Sequence, residues 1–366
     1  MDHSFTHKII EILRRHFGEN AEQIFNNSKL LQYLNLKTVS ANKGSKSRSS
    51  FGNLYAIYVL TEDYVSKNFH SNKNYSKYEG AKFSDLLKRQ RELPFGSKLQ
   101  NHSLNHRLNE EFKKFFPTNK YIPILRDLET KRYWINEKLL KVRANNHIFN
   151  IAEAVMEIID EYIKVKKNSF DHFIKISEQL QAVEHHYPQK IKDFVLSLLE
   201  PQVDARLFEI VSYAILKYDY IQQSIFWGYS PDSLEQDFLK LYKTGRTNAN
   251  DGGIDFVMKP LGRFFQVTET TDVKKFFLDI DKLEKYPVTF VIKSTKSVEH
   301  LKEIIRKGAE DQYGIDSIVS KYMESIEEII NINRLKKSLD KIEKEGHLGN
   351  VLSEIVKQSK VEFNYD

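Results

Sequence analysis

Three oxygen-bearing side chains on two predicted strands form the part of this sequence best suited to chemistry. Strands are predicted at residues 254–258 and 263–269, joined by a type I turn through Pro260. Pairing across that turn places Asp255 opposite Gln266, and strand alternation puts Thr268 on the same face as Gln266. Oxygen donors on adjacent strands suit a hard divalent cation. An edge hairpin with ordinary polar residues is the alternative interpretation.

A single carboxylate inside an apolar helix is the second feature. Asp204 can cap a helix that continues to Leu216, and between Leu207 and Leu216 the only charged residue is Glu209. Burying a carboxylate is costly unless it is paired or bound to a metal. Glu209 is therefore either a further ligand or a helix-face carboxylate that reaches solvent or an arginine.

The elements that must position these residues follow an α/β order. A helix is predicted at residues 272–285, and the apolar, β-branched strand 288–292 after it has the composition of a strand buried on both faces. Another helix follows at 298–307, and the charged segment 317–366 is predicted to be helical. Helix, hairpin, helix, strand and helix together predict one central mixed sheet.

Length and composition exclude several classes of protein. The 366 residues predict two or three domains, and 40% hydrophobic residues are ample for a core. No apolar run approaches the ~18 residues of a membrane span, and secretion by a signal peptide is not expected from the first residues. The absence of cysteine excludes disulfides and thiolate metal sites. No phosphate-binding or dinucleotide glycine motif occurs.

The charge pattern permits a polyanionic partner without requiring one. The formal net charge is +6. Residues 37–50 contain four basic and no acidic residues, among them Lys46 and Arg48. Such a segment is either a solvated loop or a loop that orders on phosphates.

The spacing of these residues resembles a known superfamily. Glu209 precedes Asp251-Gly252-Gly253-Ile254-Asp255, which precedes Phe264-Phe265-Gln266-Val267-Thr268-Glu269. This pattern resembles the PD-(D/E)xK nucleases, and the run LYKTGRTNANDGGIDFVMKPLGRFFQVTET is most similar to the ApaLI-like group of type II restriction endonucleases. The resemblance covers about a quarter of the chain, from Asp204 to Ser294.

The sequence departs from the superfamily pattern at two positions. Gln266 replaces the usual acidic residue, and Thr268 replaces the usual lysine. Threonine cannot supply a cation, which leaves Lys274, Lys275 or Lys259 as candidate substitutes. Glu269 could serve as the second acidic position only if a bulge reversed the strand's alternation. The departures are also compatible with a catalytically inactive nuclease fold.

The resemblance implies a sequence-specific type II restriction endonuclease that hydrolyses double-stranded DNA with Mg²⁺. The implied catalytic residues are Asp255, Gln266, Thr268, Glu209 and Lys274. The implied metal ligands are Asp255, Gln266 and Glu209, the last binding directly or through water. Contacts to DNA are expected from Gly252, Gly253, Arg246, Thr247, Asn248, Lys46 and Arg48.

The resemblance also implies an architecture and partners. A PD-(D/E)xK core, with a central mixed sheet flanked by helices, is expected at residues 191–312. A largely helical DNA-recognition region is expected at 1–190, and a helical extension suited to dimerisation at 313–366. A homodimer on a palindromic site, a cognate DNA methyltransferase as functional partner, and a bacterial cytoplasmic location without membrane contact follow from the same resemblance.

Two other functions remain open. Basic loops interleaved with Tyr and Phe could bind nucleic acid without cutting it, although most of these aromatic residues are expected in the core. Alternatively, His102 and His106 have the i, i+4 spacing of a metal pair, as in an HNH-type nuclease. Metal dependence separates a nuclease from a binding protein, and alanine at Asp255 separates the two nuclease hypotheses.

Overall fold

The computed structural model describes residues 2–39, 47–71, 74–97, 99–182, 187–201, 203–245, 254–269 and 273–363, with backbone only at 47–50, 273 and 363. The chain divides into two units, Met1–His172 and Phe173–Asp366. The division differs from the expected domains, since it falls near residue 172 rather than 190 and does not separate residues 313–366 from the core before them.

The first unit is mainly helical, as expected. Its helices are α1 (Ser4–Phe17), α2 (Ala21–Asn27), α3 (Lys29–Thr38), α4 (Ser47–Ser66), α5 (Phe83–Glu92), α6 (Leu108–Phe115), α7 (Glu137–Leu140) and the start of α8 (Ala152–Ala182). Five short strands form the antiparallel sheet β1-β3-β2 and the hairpin β4–β5; they are β1 (Ala81–Lys82), β2 (Ile124–Asp127), β3 (Arg132–Ile135), β4 (Lys141–Ala144) and β5 (His147–Asn150).

Aromatic side chains fill the core of the first unit. Tyr33, Tyr55, Tyr64, Phe112 and Tyr162 are among its largest fully buried residues. These rings contribute much of the apolar area removed from water, which is the main driving force for folding. The expectation that most aromatic residues belong to the core is confirmed for this unit.

The second unit is built on a five-stranded mixed sheet of order β12-β11-β10-β9-β8. Its strands are β8 (Lys240–Lys243), β9 (Phe256–Lys259), β10 (Arg263–Thr268), β11 (Val288–Ile292) and β12 (Ile326–Asn331), and β6 (Ser224–Trp227) pairs with β7 (Glu235–Phe238) in a separate hairpin. Beyond the end of α8, its helices are α9 (Pro188–Ser197), α10 (Ala205–Tyr220), α11 (Val273–Lys282), α12 (Val298–Tyr313), α13 (Asp316–Glu324), α14 (Ile332–Lys344) and α15 (Leu348–Phe363).

Helices cover both faces of this sheet. One face, which includes Phe256, Phe265 and Val291, packs against α10, α14 and α15. The other face, which includes Phe290 and Ile292, packs against α11, α12 and α13. All five residues of β11 are buried, as its apolar sequence predicted. The α/β class with one central mixed sheet is confirmed.

Three sequence-based expectations need correction. Residues 313–366 are not wholly helical, because β12 lies within them and pairs in parallel with β11. Nor do they form an extension, since α14 and α15 supply Leu339 and Val351 to the same core as α10. The turn between β9 and β10 is not type I, because Gly262 N donates to Met258 O at 2.9 Å and closes a five-residue loop.

None of the helices in the described part of the chain combines the length and apolar character that crossing a membrane requires.

Candidate functional site

Polar and charged side chains lie together at one end of the five-stranded sheet. Because β8 and β10 are both antiparallel to β9, and β10 is parallel to β11, the carboxyl ends of β8, β10 and β11 meet the amino end of β9 there. Ligands of open α/β sheets bind outside the carboxyl ends of their strands. We call this end of the sheet the polar sheet end, defined by Lys243, Asp255, Gln266, Thr268, Glu269 and Lys293.

The predicted pairing of β9 with β10 is confirmed for three residue pairs. Phe256 lies opposite Phe265, and Met258 lies opposite Arg263. The ladder departs from this register at Asp255, whose N–H donates to Phe265 O at 2.9 Å. Asp255 is therefore close to Gln266, as expected, without forming a regular strand pair with it.

Backbone and side-chain groups on both neighbouring strands hold Asp255. Val267 N donates to Asp255 Oδ2 at 2.7 Å. On the other side, Thr244 N donates to Asp255 O at 3.0 Å, and Thr244 Oγ1 donates to the same oxygen at 3.1 Å. Hydrogen bonds to an ionised carboxylate are among the stronger ones in proteins, so the Asp255 side chain has a fixed orientation.

Gln266 and Thr268 are buried on the same face of β10. Their neighbour Phe264 packs against the cluster under α11 and α12, and alternation gives Gln266 and Thr268 that same side. Gln266 is only 8% exposed, and its Oε1 has no hydrogen-bond donor in the described part of the chain. A buried acceptor without a donor is uncommon, and a water, an ion or local strain can account for it.

Glu209 projects from α10 on the opposite face of the sheet. Its Oε1 lies 2.9 Å from Lys243 Nζ, and both side chains are nearly inaccessible to solvent. The structure therefore places Glu209 beside Lys243 on β8, and does not bring it to the face that carries Gln266 and Thr268. Lys243 was not predicted, although its spacing from the buried Leu241 gives it the same strand face.

A second ion pair, between a buried lysine and a half-buried glutamate, lies at the polar sheet end. Lys293 Nζ lies 2.7 Å from Glu269 Oε1, also donates to Val203 O, and sits 5.6 Å from the centre of the Phe208 ring on α10. Glu269 continues the side of Val267, which packs in the α10 cluster. The signal that could have identified Lys293 is its position directly after the fully apolar β11.

The cost of burying charges suggests that these ion pairs serve a function rather than stability alone. Removing two charges from water costs several kcal/mol, and such pairs are weak evidence for stability alone. Their place is the end of an α/β sheet where ligands bind, outside the carboxyl ends of the strands. The polar sheet end contains one buried pair, Glu209–Lys243, and one partly buried pair, Glu269–Lys293.

The lysines predicted from the sequence are all exposed. Lys259 is exposed at the opposite end of β9 from Asp255, and Lys274 and Lys275 are exposed in the first turn of α11. The expected DNA contacts Gly252, Gly253, Arg246, Thr247, Asn248 and Lys46 lie outside the described residues. Arg48 belongs to α4, for which the backbone alone is described at that position.

The histidine pair proposed for an HNH-type site is on the surface of the first unit. His102 directly precedes the π-helical turn Ser103–Arg107 and His106 lies within it. Both are exposed, with ring centroids 6.0 Å apart. Within the described ranges, no group of three or more His, Asp or Glu side chains is arranged to hold a metal ion.

Comparison of this chain with known protein families, with curated proteins and with solved structures finds no match.

Proposed function

We propose that this protein is a Mg²⁺-dependent endonuclease that hydrolyses phosphodiester bonds of double-stranded DNA, with its centre at the polar sheet end. The observation that carries the proposal is the position of Asp255, which bonds the residues on either side of Gln266. The carboxylate of Asp255, just before β9, is oriented by a hydrogen bond from Val267 N on β10. Next to it on β10, a buried amide oxygen has no donor among the described residues.

These two side chains fit a hard cation. Carboxylate and amide carbonyl oxygens are ligands that Mg²⁺ accepts, and a bound ion would give Gln266 Oε1 the partner that it lacks. Asp255 and Gln266 would hold the ion. Glu209 is paired with Lys243 and would have to leave that ion pair to bind the same ion. Its role as a ligand therefore stays a prediction. Mg²⁺, when bound, supplies an activated water and charge for the pentavalent phosphorus.

The chain's own residues contribute orientation and positive charge. Val267 N keeps the Asp255 carboxylate directed by a short hydrogen bond. Lys243 directly precedes Thr244, which bonds the backbone of Asp255. Its side chain lies with Glu209 on the opposite face of the sheet from Gln266, so it would reach a phosphate past the carboxyl end of β8. A fixed ammonium near the scissile phosphate stabilises negative charge in the transition state. Thr268 offers only a hydroxyl, so we assign the missing lysine's role to Lys243.

The architecture and the sequence resemblance support the restriction type. A central mixed sheet with helices on both faces is what the resemblance to PD-(D/E)xK nucleases implies for this region. A restriction enzyme reads a short, usually palindromic site as a two-fold homodimer. A methyltransferase protecting the same site would be its functional partner.

The experiment that tests the proposal is incubation of the purified protein with plasmid and phage DNA, with Mg²⁺ or with EDTA. Discrete fragments that form only with Mg²⁺ are expected. Intact DNA under both conditions, with a protein that is folded and binds DNA, would contradict it.

A DNA-binding protein on an inactive nuclease fold is the second candidate. Thr268 stands where the catalytic lysine is expected, and the two nearby lysines, Lys243 and Lys293, are each engaged by a carboxylate. A binding protein needs no free catalytic cation. For this candidate, binding to DNA would be unchanged by Mg²⁺ and no cleavage would occur.

A further inference from the structure

A wide polar groove of about 750 Å³ lies in the first unit. Its walls are the end of α2, the amino end of α3, α7, β4 and the turn that joins β4 to β5. The volume is within the ~300–1,000 Å³ of ligand sites, but such sites are usually lined by apolar and aromatic side chains. Here amides and cations dominate the lining, which argues for a charged, hydrated ligand.

The groove is positively charged. Its lining includes Lys29, Lys138, Lys141 and Arg143, and none of the described residues that line it is Asp or Glu. Glu137 offsets one of these charges, because its Oε2 lies 2.9 Å from Lys141 Nζ. Lys138 and Arg143 are exposed, and neither forms an ion pair with any described residue. At least two cations therefore face the groove uncompensated.

Hydrogen bonds fix one rim of the groove. Asn145 and Asn146 form the turn between β4 and β5 with φ values of 45° and 63°, a conformation that asparagine tolerates better than most residues. Gln23 Oε1 accepts from Asn145 N at 3.1 Å, and Asn27 Nδ2 donates to Arg143 O at 2.9 Å. The amide-rich rim is thus held in place against α2 rather than left as a loose loop.

The amino end of α3 adds to the positive potential. Ser28 and Lys29 line the groove, and Ser28 Oγ accepts from Leu31 N at 3.2 Å as the cap of this ten-residue helix. Helix N-termini attract anions through unpaired N–H groups and the helix dipole. This contribution has the same sign as that of Lys138 and Arg143.

The net charge is divided unevenly between the two units, and the positive excess lies in the unit that contains the groove. Residues 1–172 contain 29 Lys and Arg against 19 Asp and Glu, a net charge of +10. Residues 173–366 contain 27 against 31, a net charge of −4. The first unit is therefore much more basic than the total of +6 indicates, as is typical of a part that contacts a polyanion.

We infer that this groove binds the phosphate backbone of DNA. Arg, Lys and Asn are side chains that contact phosphate oxygens in protein–DNA complexes, and such contacts position the protein without reading sequence. Lys138 and Arg143 are the two principal phosphate contacts, and the asparagine rim supplies neutral donors. The inference rests on the proposed function, since DNA is the partner in both, but it concerns binding rather than cleavage.

The test is the affinity of the full-length protein for a short labelled DNA duplex, measured by fluorescence anisotropy in Ca²⁺ at several salt concentrations. The double variant Lys138→Ala/Arg143→Ala should bind at least about tenfold more weakly at moderate salt. The slope of log K against log salt should fall by about two, since each phosphate contact contributes roughly 0.9. The variant Lys138→Arg/Arg143→Lys should retain both affinity and slope.

The matched control removes two charges elsewhere in the same unit. Lys113 and Lys114 on α6 are exposed, line no part of the groove, and form no ion pair with the described residues. The variant Lys113→Ala/Lys114→Ala should change the affinity less than about threefold, the size expected for a general loss of charge. All four substituted side chains are exposed, so the thermal midpoint of unfolding should be unchanged in both variants.

Four results would overturn the inference. Equal weakening by the groove variant and the control would mean that only net charge matters. A groove variant that binds DNA as the wild type does would reject the groove while leaving the proposed function intact. Binding of deoxyadenosine 5′-monophosphate that is lost in the groove variant, with duplex affinity unchanged, would assign the groove to a free nucleotide. A wild-type protein that binds no DNA would reject both proposals.

Discussion

The carboxylate of Asp255 accepts a hydrogen bond from the backbone N–H of Val267, with Oδ2 and N 2.7 Å apart. This bond replaces the regular ladder at the point where β9 begins, because the N–H of Asp255 itself is directed to Phe265 O. Asp255 thus interrupts the pairing of β9 with β10 and lies at the polar sheet end.

The first prediction separates the structural role of Asp255 from its charge. Asp255→Asn keeps an oxygen that can accept from Val267 N, whereas Asp255→Ala removes it. We expect Asp255→Ala to unfold with a free energy lower by about 1–2 kcal/mol than Asp255→Asn, the range of a hydrogen bond to a charged or buried group. Urea denaturation of both variants measures the difference. Equal stabilities would show that the Val267 bond contributes nothing.

The second prediction concerns the unpaired oxygen of Gln266. Gln266→Leu removes a buried acceptor that has no donor within the described ranges, so the variant should be more stable than the wild type by about 1 kcal/mol in metal-free buffer. The same variant should lose Mg²⁺-dependent cleavage. Gain of stability with loss of activity is typical of residues kept for function.

Gln90 provides the matched control for Gln266. It is a fully buried glutamine in the first unit, its Oε1 also lacks a donor, and its Nε2 donates to Gly52 O at 3.0 Å. Gln90→Leu should leave the cleavage rate per folded molecule unchanged. If Gln90→Leu and Gln266→Leu reduced cleavage alike, the loss would reflect general damage to the fold.

The third prediction assigns the missing lysine. Lys243→Met should lower the cleavage rate by about 10²–10³, the cost of removing one preorganised charge from a transition state. Lys259→Met, which removes an exposed lysine at the other end of β9, should leave the rate within about threefold. Single-turnover cleavage assays on one DNA substrate measure both. Similar rates for Lys243→Met and the wild type would reject this assignment.

A double variant separates a catalytic effect of Lys243 from a loss of stability. Lys243→Met leaves the buried Glu209 without this partner and is expected to cost about 3 kcal/mol or more of stability. Lys243→Met/Glu209→Leu replaces both charges by apolar groups and should recover most of that stability. It should remain inactive, because neither substitution restores a cation. Recovery of cleavage together with stability would mean that the ion pair is structural.

The fourth prediction tests an ion pair in the core of the second unit. Burial alone would raise the pKa of Glu354, but hydrogen bonds from Lys217 and Gln358 outweigh it and lower that pKa below its ordinary value. A depressed carboxyl pKa stabilises the fold above the unfolded pKa, and the contribution is lost as the pH falls through the folded pKa. Glu354→Gln should therefore be less stable than the wild type by about 1 kcal/mol near neutral pH.

The pH dependence provides the control for Glu354. Below the folded pKa of Glu354, both proteins carry a neutral side chain at this position, so the difference in unfolding free energy should shrink as the pH falls below the ordinary glutamate pKa and through the lowered pKa of Glu354. Urea denaturation of wild type and variant across that range measures it. A difference that does not change with pH would contradict the contribution of the ion pair with Lys217.

Much of the second unit could be predicted from local sequence. The apolar run at β11 and the capped helix α10 are both where the sequence predicted them, since a fully apolar, β-branched segment and an N-cap aspartate are strong local signals. β8 and β12 were missed for opposite reasons. β8 is a four-residue strand with two lysines, and β12 contains Glu327 and Glu328, which gave it the pattern of a charged helix.

The candidate site shows the same division between local and long-range information. The proximity of Asp255 to Gln266 follows from a short hairpin, so the sequence predicted it. The pairing of Glu209 with Lys243, and of Glu269 with Lys293, depends on which helix packs against which face of the sheet. No local pattern encodes that choice, because it is made by the apolar contacts of α10 and α11 with opposite faces.

The most direct test of the central claim compares DNA cleavage and DNA binding in the wild type and in Asp255→Asn. Cleavage is measured with Mg²⁺ on plasmid DNA, and binding with Ca²⁺ on the same sequence. We expect the wild type to cut at discrete sites with Mg²⁺ only, and Asp255→Asn to bind with wild-type affinity while cutting at least about 10³-fold more slowly. Cleavage by Asp255→Asn at the wild-type rate would place the active centre somewhere other than the polar sheet end.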